Sequence, residues 1–360
     1  DAFRHPSSVN DAVARLRGDR AQAEAWVELT GCVLALRAAG ALVDAATSRP
    51  VVRSHHGRFD SYPVHIRLLN DEVRTSRYQQ AIRAVVRPGD VVVDIGTGSG
   101  VMAATAALAG ASRVYAIERT EMARLARRVF EANGLADRIT VIEALSNDVE
   151  LPEQADVLVS EIIGNDPLAE GLLPVTADAI RRFLKPGARQ IPSGIELWVR
   201  PYEASPDFTR LTLVEPSLVR DWHERYGIDF TPLLDAAAGR DHDTTIRALR
   251  ARDWPPLGPA VRLADIDLTR PHPGTIRTAT SLPIDRDGRL SALVLSFVAH
   301  LAPGIELSTL PEDVSATNSW TSLAWLPGTP PAAAAGARIG VDYSFTPRGS
   351  AFTLQSAVTA

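Results

Sequence analysis

The chain has 360 residues, about twice the ~100–200 of a single domain, so two joined domains are expected and a lone binding module is excluded. Hydrophobic residues make up 45% and charged residues 22%, the balance of a folded globular protein rather than a disordered one. With 38 basic against 43 acidic residues the net charge is −5, so the chain carries no basic field for gripping a nucleic-acid backbone.

Cys32 is the only cysteine, which rules out an intramolecular disulfide and a cysteine-built zinc cluster. The longest apolar stretch, Cys32 to Ala46, is interrupted by Arg37 and Asp44 and is shorter than the ~20 residues of a membrane span. The opening DAFRHPSS has no signal-peptide pattern. A cytoplasmic protein without membrane or metal is therefore expected.

Residues 8 to 47 carry apolar positions at helical spacing (Val13, Leu16, then Val33, Leu36), with Ser8 or Asn10 available as a cap, so residues 1–50 read as a helical extension. After a polar stretch, Thr75 to Val86 is helical again and Pro88-Gly89 ends it. Then VVVDI, a helix through Ala103 to Leu108, RVYAIE, a helix through Met122 to Ala132, RITVIE, ADVLVSE and a helix ending at LKPG alternate. Strand alternating with helix predicts an α/β parallel sheet with crossovers. From Pro192 onward strands dominate (IELWVRPY, VRLADIDL, RLSALVLSFVAHL, SWTSLAWL, RIGVDYSFT), which predicts an antiparallel β-barrel or sandwich with one helical or irregular insertion at about 218–254. The expected domains are thus 51–191 and 192–360.

The sharpest motif is Val91-Val-Val-Asp94-Ile-Gly96-Thr-Gly98-Ser-Gly100, a strand running into glycines and then a helix. The third glycine comes one residue earlier than in the dinucleotide fingerprint, so NAD is not the expected ligand. Missing Cβ atoms there would let a nucleoside approach backbone N–H groups at a helix N-terminus, with Asp94 accepting hydrogen bonds from the ligand or fixing the turn. Glu118, about 20 residues on, ends the next strand, where an acidic residue holds ribose hydroxyls. Together these favour S-adenosylmethionine as cofactor. Asn147 and Asp148 lie in a polar loop where an adenine could be met.

Three further stretches sharpen this reading: Phe59-Asp-Ser-Tyr62 with Asp71-Glu-Val-Arg74-Thr75; Ser160-Glu161-Ile-Ile-Gly164 with Glu170; and Ser308-Thr309 with Asn318-Ser319-Trp320. Taken in order with the glycine loop and the LKPGxxxIP run, they resemble the protein arginine methyltransferase family over about residues 58 to 355, in a form expected of a bacterial member. The resemblance implies a class I methyltransferase Rossmann-like sheet followed by a β-barrel, a dimerisation arm beginning near Trp222 and a homodimer. It also implies that Glu161 and Glu170 clasp the substrate guanidinium, although two solvated carboxylates flanking a turn are the ordinary alternative. Arg74 is implied to meet the methionine carboxylate of the cofactor and one of those glutamates. Phe59 and Tyr62 would form a lid over the cofactor, and Leu68 and Trp320 would line the substrate mouth; the aromatic residues could equally fill a core.

The chain departs from the family pattern near that mouth. Ser319 stands where the family has the histidine of Thr-His-Trp, and a serine hydroxyl cannot do a histidine's proton transfer near neutral pH. Arg58 replaces the first lid aromatic and Leu68 a methionine, while His65 is retained. The expected reaction is methylation of an arginine guanidino nitrogen, giving Nω-methylarginine and S-adenosylhomocysteine. Free L-arginine, as in specialised-metabolite biosynthesis, is preferred over peptide substrates, with a small-molecule O- or N-methyltransferase or a silent scaffold dimer as alternatives.

Overall fold

The computed structural model describes residue 59, residues 61–237 and residues 241–355. The helices expected within residues 1–50, and Arg58, lie outside the described residues. Two compact units are present, Asp1–His65 and Ile66–Ala360.

Two helices open the described part, α1 (Tyr62–Asn70) and α2 (Glu72–Val85). Asp71 starts α2 as its N-cap, its carboxylate accepting the N–H of Arg74, because the first turn of a helix leaves its N–H groups unpaired. Then β1 (Val91–Ile95), α3 (Val101–Leu108), β2 (Arg113–Ile117), α4 (Met122–Ala132), β3 (Ile139–Ile142), β4 (Ala155–Ser160), α5 (Leu172–Arg182) and β5 (Leu184–Ile191) alternate. The five strands pair in parallel in the order β3-β2-β1-β4-β5. The central strands β1 and β4 are mostly apolar because a parallel sheet is covered by helices on both faces; all five residues of β1 are buried.

The antiparallel half begins with β6 (Gly194–Tyr202) and contains β7 (His242–Arg247), β8 (Val261–Asp267), β9 (Ile276–Pro283), β10 (Gly288–Arg289), β11 (Ala292–Ala302), β12 (Ile305–Ser308), β13 (Thr321–Leu326), β14 (Ala332–Ala333), β15 (Arg338–Thr346) and β16 (Gly349–Leu354). They form a six-stranded sheet along β7-β13-β11-β6-β8 with β12 on β11, a three-stranded sheet β16-β15-β9, and a β10-β14 ribbon. One apolar cluster runs from Tyr78 and Ile82 of α2 through Val92 and Val159 to Leu295, Phe297 and Trp320, so both halves share a core. α2 packs on β11 and β12 as well as on α3 and β5, and thereby stands between the halves.

Two expectations need correction. The LKPG run does not end a helix: α5 stops at Arg182, and Leu184 already pairs with β4, the Pro-Gly being absorbed in a register shift. The insertion at 218–254 is not wholly helical. α6 (Pro206–Thr212) precedes it and α7 (Pro216–Tyr226) and α8 (Thr231–Ala237) fall in it, but β7 then returns as the edge strand on β13, and α9 (Ala248–Arg252) follows. HDTTIR is rich in β-branched residues, and Ile246 finds a buried place in that edge strand.

Candidate active site

β1 and β4 are neighbours with Ile95 opposite Ser160, so Gly96 and Glu161 leave the sheet side by side at its carboxyl edge. The strand order reverses between these two strands, and a crevice opens outside such a point. Gly96 adopts φ +83° and its missing Cβ would lie 2.7 Å from Ile162 Cγ2; at Gly100 (φ +92°) a Cβ would lie 2.6 Å from Phe130 Cε1. The expectation that these glycines make room for a nucleoside is thus refined: at Gly96 and Gly100 the space is taken by neighbouring side chains, and packing requires them. Gly98 donates its N–H to Glu118 Oε2 at 2.8 Å.

Glu118 is buried, and its Oε1 accepts the Thr120 N–H at 2.8 Å. A carboxylate has about four lone-pair sites, so capacity remains at both oxygens for the two hydroxyls of a ribose. Asp94 accepts the Thr97 hydroxyl at 2.8 Å through Oδ2, while its buried Oδ1 has no partner. Burial above all, then repulsion from Glu118 and Glu161, pushes the Asp94 carboxyl up to about 7, against the hydrogen bonds that stabilise its charge.

Arg74 Nη1 is ion-paired with Glu161 Oε2, with both side chains almost wholly out of solvent. Its Nη2 donates to the Leu68 carbonyl at 3.0 Å, and its Nε is buried without a partner. Burial raises the Glu161 carboxyl; the Arg74 cation and the Ile163 N–H oppose the rise. Asp71 ties this group to the antiparallel half, its Oδ2 accepting the Ser319 N–H at 2.7 Å. Ser319 therefore contributes its backbone where the family has a histidine, and its hydroxyl is buried without a partner. Trp320 is also buried: its Nε1 donates to the Ile163 carbonyl at 2.8 Å, its ring meets Phe297 edge to face at 5.3 Å, and Arg74 lies 6.0 Å from its centroid.

The Glu170 side chain lies against Gly164, where a Cβ would stand 3.0 Å from its Oε1. It opens to solvent, unlike Glu161. The surrounding protein and then the negative charge of Glu161 push its carboxyl up to about 7, with Arg119 opposing. Water reaching Glu170 screens part of that effect, so the upward direction is what bears on chemistry. Asp94, Glu161 and Glu170 are all shifted toward protonation, first by loss of solvation and then by repulsion, from Glu118 and Glu161 at Asp94, from Glu161 at Glu170 and from Asp71 at Glu161, with Arg74 as the buried counterion of Glu161. Such a crevice fits cationic ligands, and the unpaired Asp94 Oδ1 and Ser160 Oγ at its edge fit a polar one.

A Protein arginine N-methyltransferase PRMT10 of Oryza sativa subsp. japonica is 32% identical over 295 residues, covering 75% of this chain and 77% of the relative. The chain belongs to the protein arginine N-methyltransferase family. A probable histone-arginine methyltransferase 1.4 of Arabidopsis thaliana is 40% identical over 173 residues, 47% of this chain. The chain spans only 32% of that relative and 50% of a probable protein arginine N-methyltransferase 6.1 of Oryza sativa subsp. indica. The family model for ribosomal protein L11 methyltransferase matches residues 75–197. Among solved structures, a Trypanosoma brucei PRMT1 enzyme–prozyme heterotetrameric complex with AdoHcy aligns with TM-score 0.69 at 22% identity, covering 79% of this chain and 88% of that one. Arabidopsis thaliana protein arginine methyltransferase 10 aligns with TM-score 0.64 at 22% identity, over 82% and 97%. At that identity both likenesses concern the fold.

Within this family frame the other expected site residues differ in placement. Leu68 is half-buried and reaches the site through its carbonyl, which also accepts the Thr75 hydroxyl at 3.2 Å. Asn147 is exposed on a 3₁₀ turn, Ser146–Asp148. Phe59 and Tyr62 lie in the unit ending at His65; Tyr62 is 65% exposed, and the Phe59 carbonyl lies 2.8 Å from His65 Nε2. From the sequence Asp71 has no role beyond opening the Asp71–Thr75 run, and Tyr78 and Thr97 have none. For Asp71 a signal existed, an Asp directly before a helical run; Tyr78, whose hydroxyl donates to the Ser160 carbonyl at 3.3 Å, looks like any core aromatic.

Proposed function

We propose that this protein transfers a methyl group from S-adenosylmethionine to a terminal guanidino nitrogen of arginine residues in peptides or proteins. The observation that carries the reading is the glutamate pair on one loop at the sheet's carboxyl edge: Glu161, ion-paired with Arg74 and largely out of solvent, and the exposed Glu170, whose carboxyl feels the Glu161 charge. A guanidinium, with pKa above ~12, is a poor nucleophile because its lone pairs are delocalised. Two carboxylates gripping its N–H groups hold one terminal nitrogen in line and draw charge from it by charge-assisted bonds. When bound, S-adenosylmethionine supplies an electrophilic sulfonium methyl. Glu118 and the Gly96–Gly100 loop would hold its nucleoside, Asn147 its adenine and Arg74 its carboxylate. Residues 51–191 would thus serve the donor, while 192–360 supply the acceptor wall through Trp320. The methylated nitrogen must shed a proton, and with no histidine at position 319 the solvent-facing Glu170, with its raised carboxyl, is the group placed to take it.

Peptidyl arginine is favoured over free L-arginine because the relatives are named as histone-arginine and protein arginine methyltransferases, which gives no support to the metabolite expectation. A homodimer joined through the arm at about 218–254 remains part of the proposal; Tyr226, Ile228 and Leu233 expose apolar surface there. Incubating the protein with S-adenosylmethionine and either a Gly-Arg-rich peptide or L-arginine, and reading product masses, tests the reading. A gain of one or two methyl groups on the peptide is expected; transfer to L-arginine alone restores the metabolite alternative, and transfer to neither overturns the function.

A further inference from the structure

Asp166 lies midway along the loop that carries Glu161 and Glu170, and one residue of the antiparallel half holds both of its carboxylate oxygens. Oδ2 accepts the Ser350 N–H at 2.8 Å and Oδ1 accepts the Ser350 hydroxyl at 2.8 Å. Ser350 Oγ is also 2.9 Å from the hydroxyl oxygen of Tyr343, a fully buried residue. A serine hydroxyl has one proton, and it is donated in the bond to the carboxylate, so Tyr343 must be the donor in its pair. The chain of bonds therefore runs Tyr343 to Ser350 to Asp166. Burial pushes the Tyr343 phenol well above its ordinary value, which keeps its proton available for that role.

The β15–β16 hairpin presents Ser350 for this contact. Thr346 pairs with Gly349, and Gly349 turns at φ +113°, where a side chain would be strained. On the loop side, the Asp166 carbonyl accepts the Ala169 N–H at 3.0 Å, turning the chain directly into Glu170. A second attachment precedes it, the Trp320 Nε1 bond to the Ile163 carbonyl at 2.8 Å. Gly164 lies between the two attachments, and a Cβ there would stand 2.8 Å from the Asp166 carbonyl and 3.0 Å from both Glu170 Cγ and Oε1. Glu170 thus rests on the short segment that both attachments fix, whereas Glu161 is held independently by Arg74.

We infer that Asp166 is a positioning residue: through Ser350 and Tyr343 it anchors the glutamate loop to the antiparallel half and sets where Glu170 stands relative to Glu161. The inference rests on the proposed methyl transfer, in which Asp166 touches neither substrate nor cofactor. Misplacement of a reacting group by about 1 Å costs ~10²-fold in rate, so a clamp remote from the chemistry acts on turnover without acting on donor binding.

The test compares Asp166→Ala, Asp166→Asn, Ser350→Ala and the double Asp166→Ala/Ser350→Ala variant in the full chain. Three quantities are read: kcat on a Gly-Arg-rich peptide, the dissociation constant of S-adenosylmethionine, and amide hydrogen exchange of the 161–171 segment. For Asp166→Ala, kcat is expected to fall about tenfold or more, cofactor affinity to stay within about twofold, and exchange of the segment to rise about tenfold while β1 and β4 remain protected. Asp166→Asn keeps an acceptor for the Ser350 N–H and recovers part of the loss. Ser350→Ala, the milder variant should Asp166→Ala fail to fold, gives a smaller loss, and the double variant is no slower than Asp166→Ala alone, as one shared chain requires. Unchanged exchange, kcat within about twofold of wild type, or additive losses in the double variant overturn the inference. If the wild-type chain methylates no peptide, the functional reading fails, while the exchange measurement still decides whether the clamp holds the loop.

Discussion

The Arg74 guanidinium and the Glu161 carboxylate form a buried ion pair between the first turn of α2 and the residue that leaves β4. Removing one member strands the other charge away from water, which costs about 3–5 kcal/mol. Arg74→Ala should therefore lower the urea midpoint sharply. Adding Glu161→Gln to that variant should recover part of the loss, and a double variant no more stable than Arg74→Ala would show that the pair does not act as one unit.

Glu161→Gln and Glu170→Gln each keep the shape of the side chain and remove the charge that would hold a guanidinium. A loss of about 10²–10³-fold in kcat is expected for each, the scale of losing one aimed electrostatic partner. Donor binding, measured by calorimetry, should change little, because the backbone contacts of Glu118 to Gly98 and Thr120 stay intact.

The raised carboxyls give two pH dependences. Asp94, ordinarily near 3.8, is pushed up to about 7, so between those values the folded chain binds more protons than the unfolded one. Its contribution to stability is accordingly fully present below the ordinary value and lost as pH rises toward about 7. The Asp94→Asn variant should show a flatter dependence in denaturant titrations over that window. Turnover runs the other way, since Glu170 must be ionised to hold a cation: kcat/KM should rise along a limb displaced above the ordinary carboxylate range, and that limb should be lost in Glu170→Gln.

Gly96→Ala combines a strained backbone at φ +83° with a Cβ placed 2.7 Å from Ile162 Cγ2. A destabilisation of at least ~1 kcal/mol is expected by thermal or chemical unfolding. Because Ile162 follows Glu161, the push should also weaken methyl transfer. Gly89→Ala, with φ +91° but open space around it, carries the backbone cost alone and serves as the control.

The regular parts of the parallel half were legible because their causes are local. The helix over Met122 to Ala132 appears with those bounds, and the VVVDI strand with its glycine turn lies where the pattern puts it. LKPG and HDTTIR misled because pairing with distant strands overrode their local cues. Within the candidate site, Glu161, Glu170 and Arg74 stood out through motif order. The cross-domain role of Asp71 and the part played by Asp166 did not, since the partners involved, Ser319 and Ser350, lie 248 and 184 positions away.

The sequence by itself determined the alternating α/β half, the glycine turn at the end of β1 and the chemical types gathered around it, because propensity, turn geometry and short spacing act within a few residues. Only the tertiary structure decided that Glu161 rather than Glu170 is the glutamate Arg74 neutralises, that Ser319 contributes its backbone to Asp71, and that Ser350 clamps Asp166. Those contacts depend on which strand ends meet at the crevice and on how far water is excluded there, and neither quantity exists until distant segments pack.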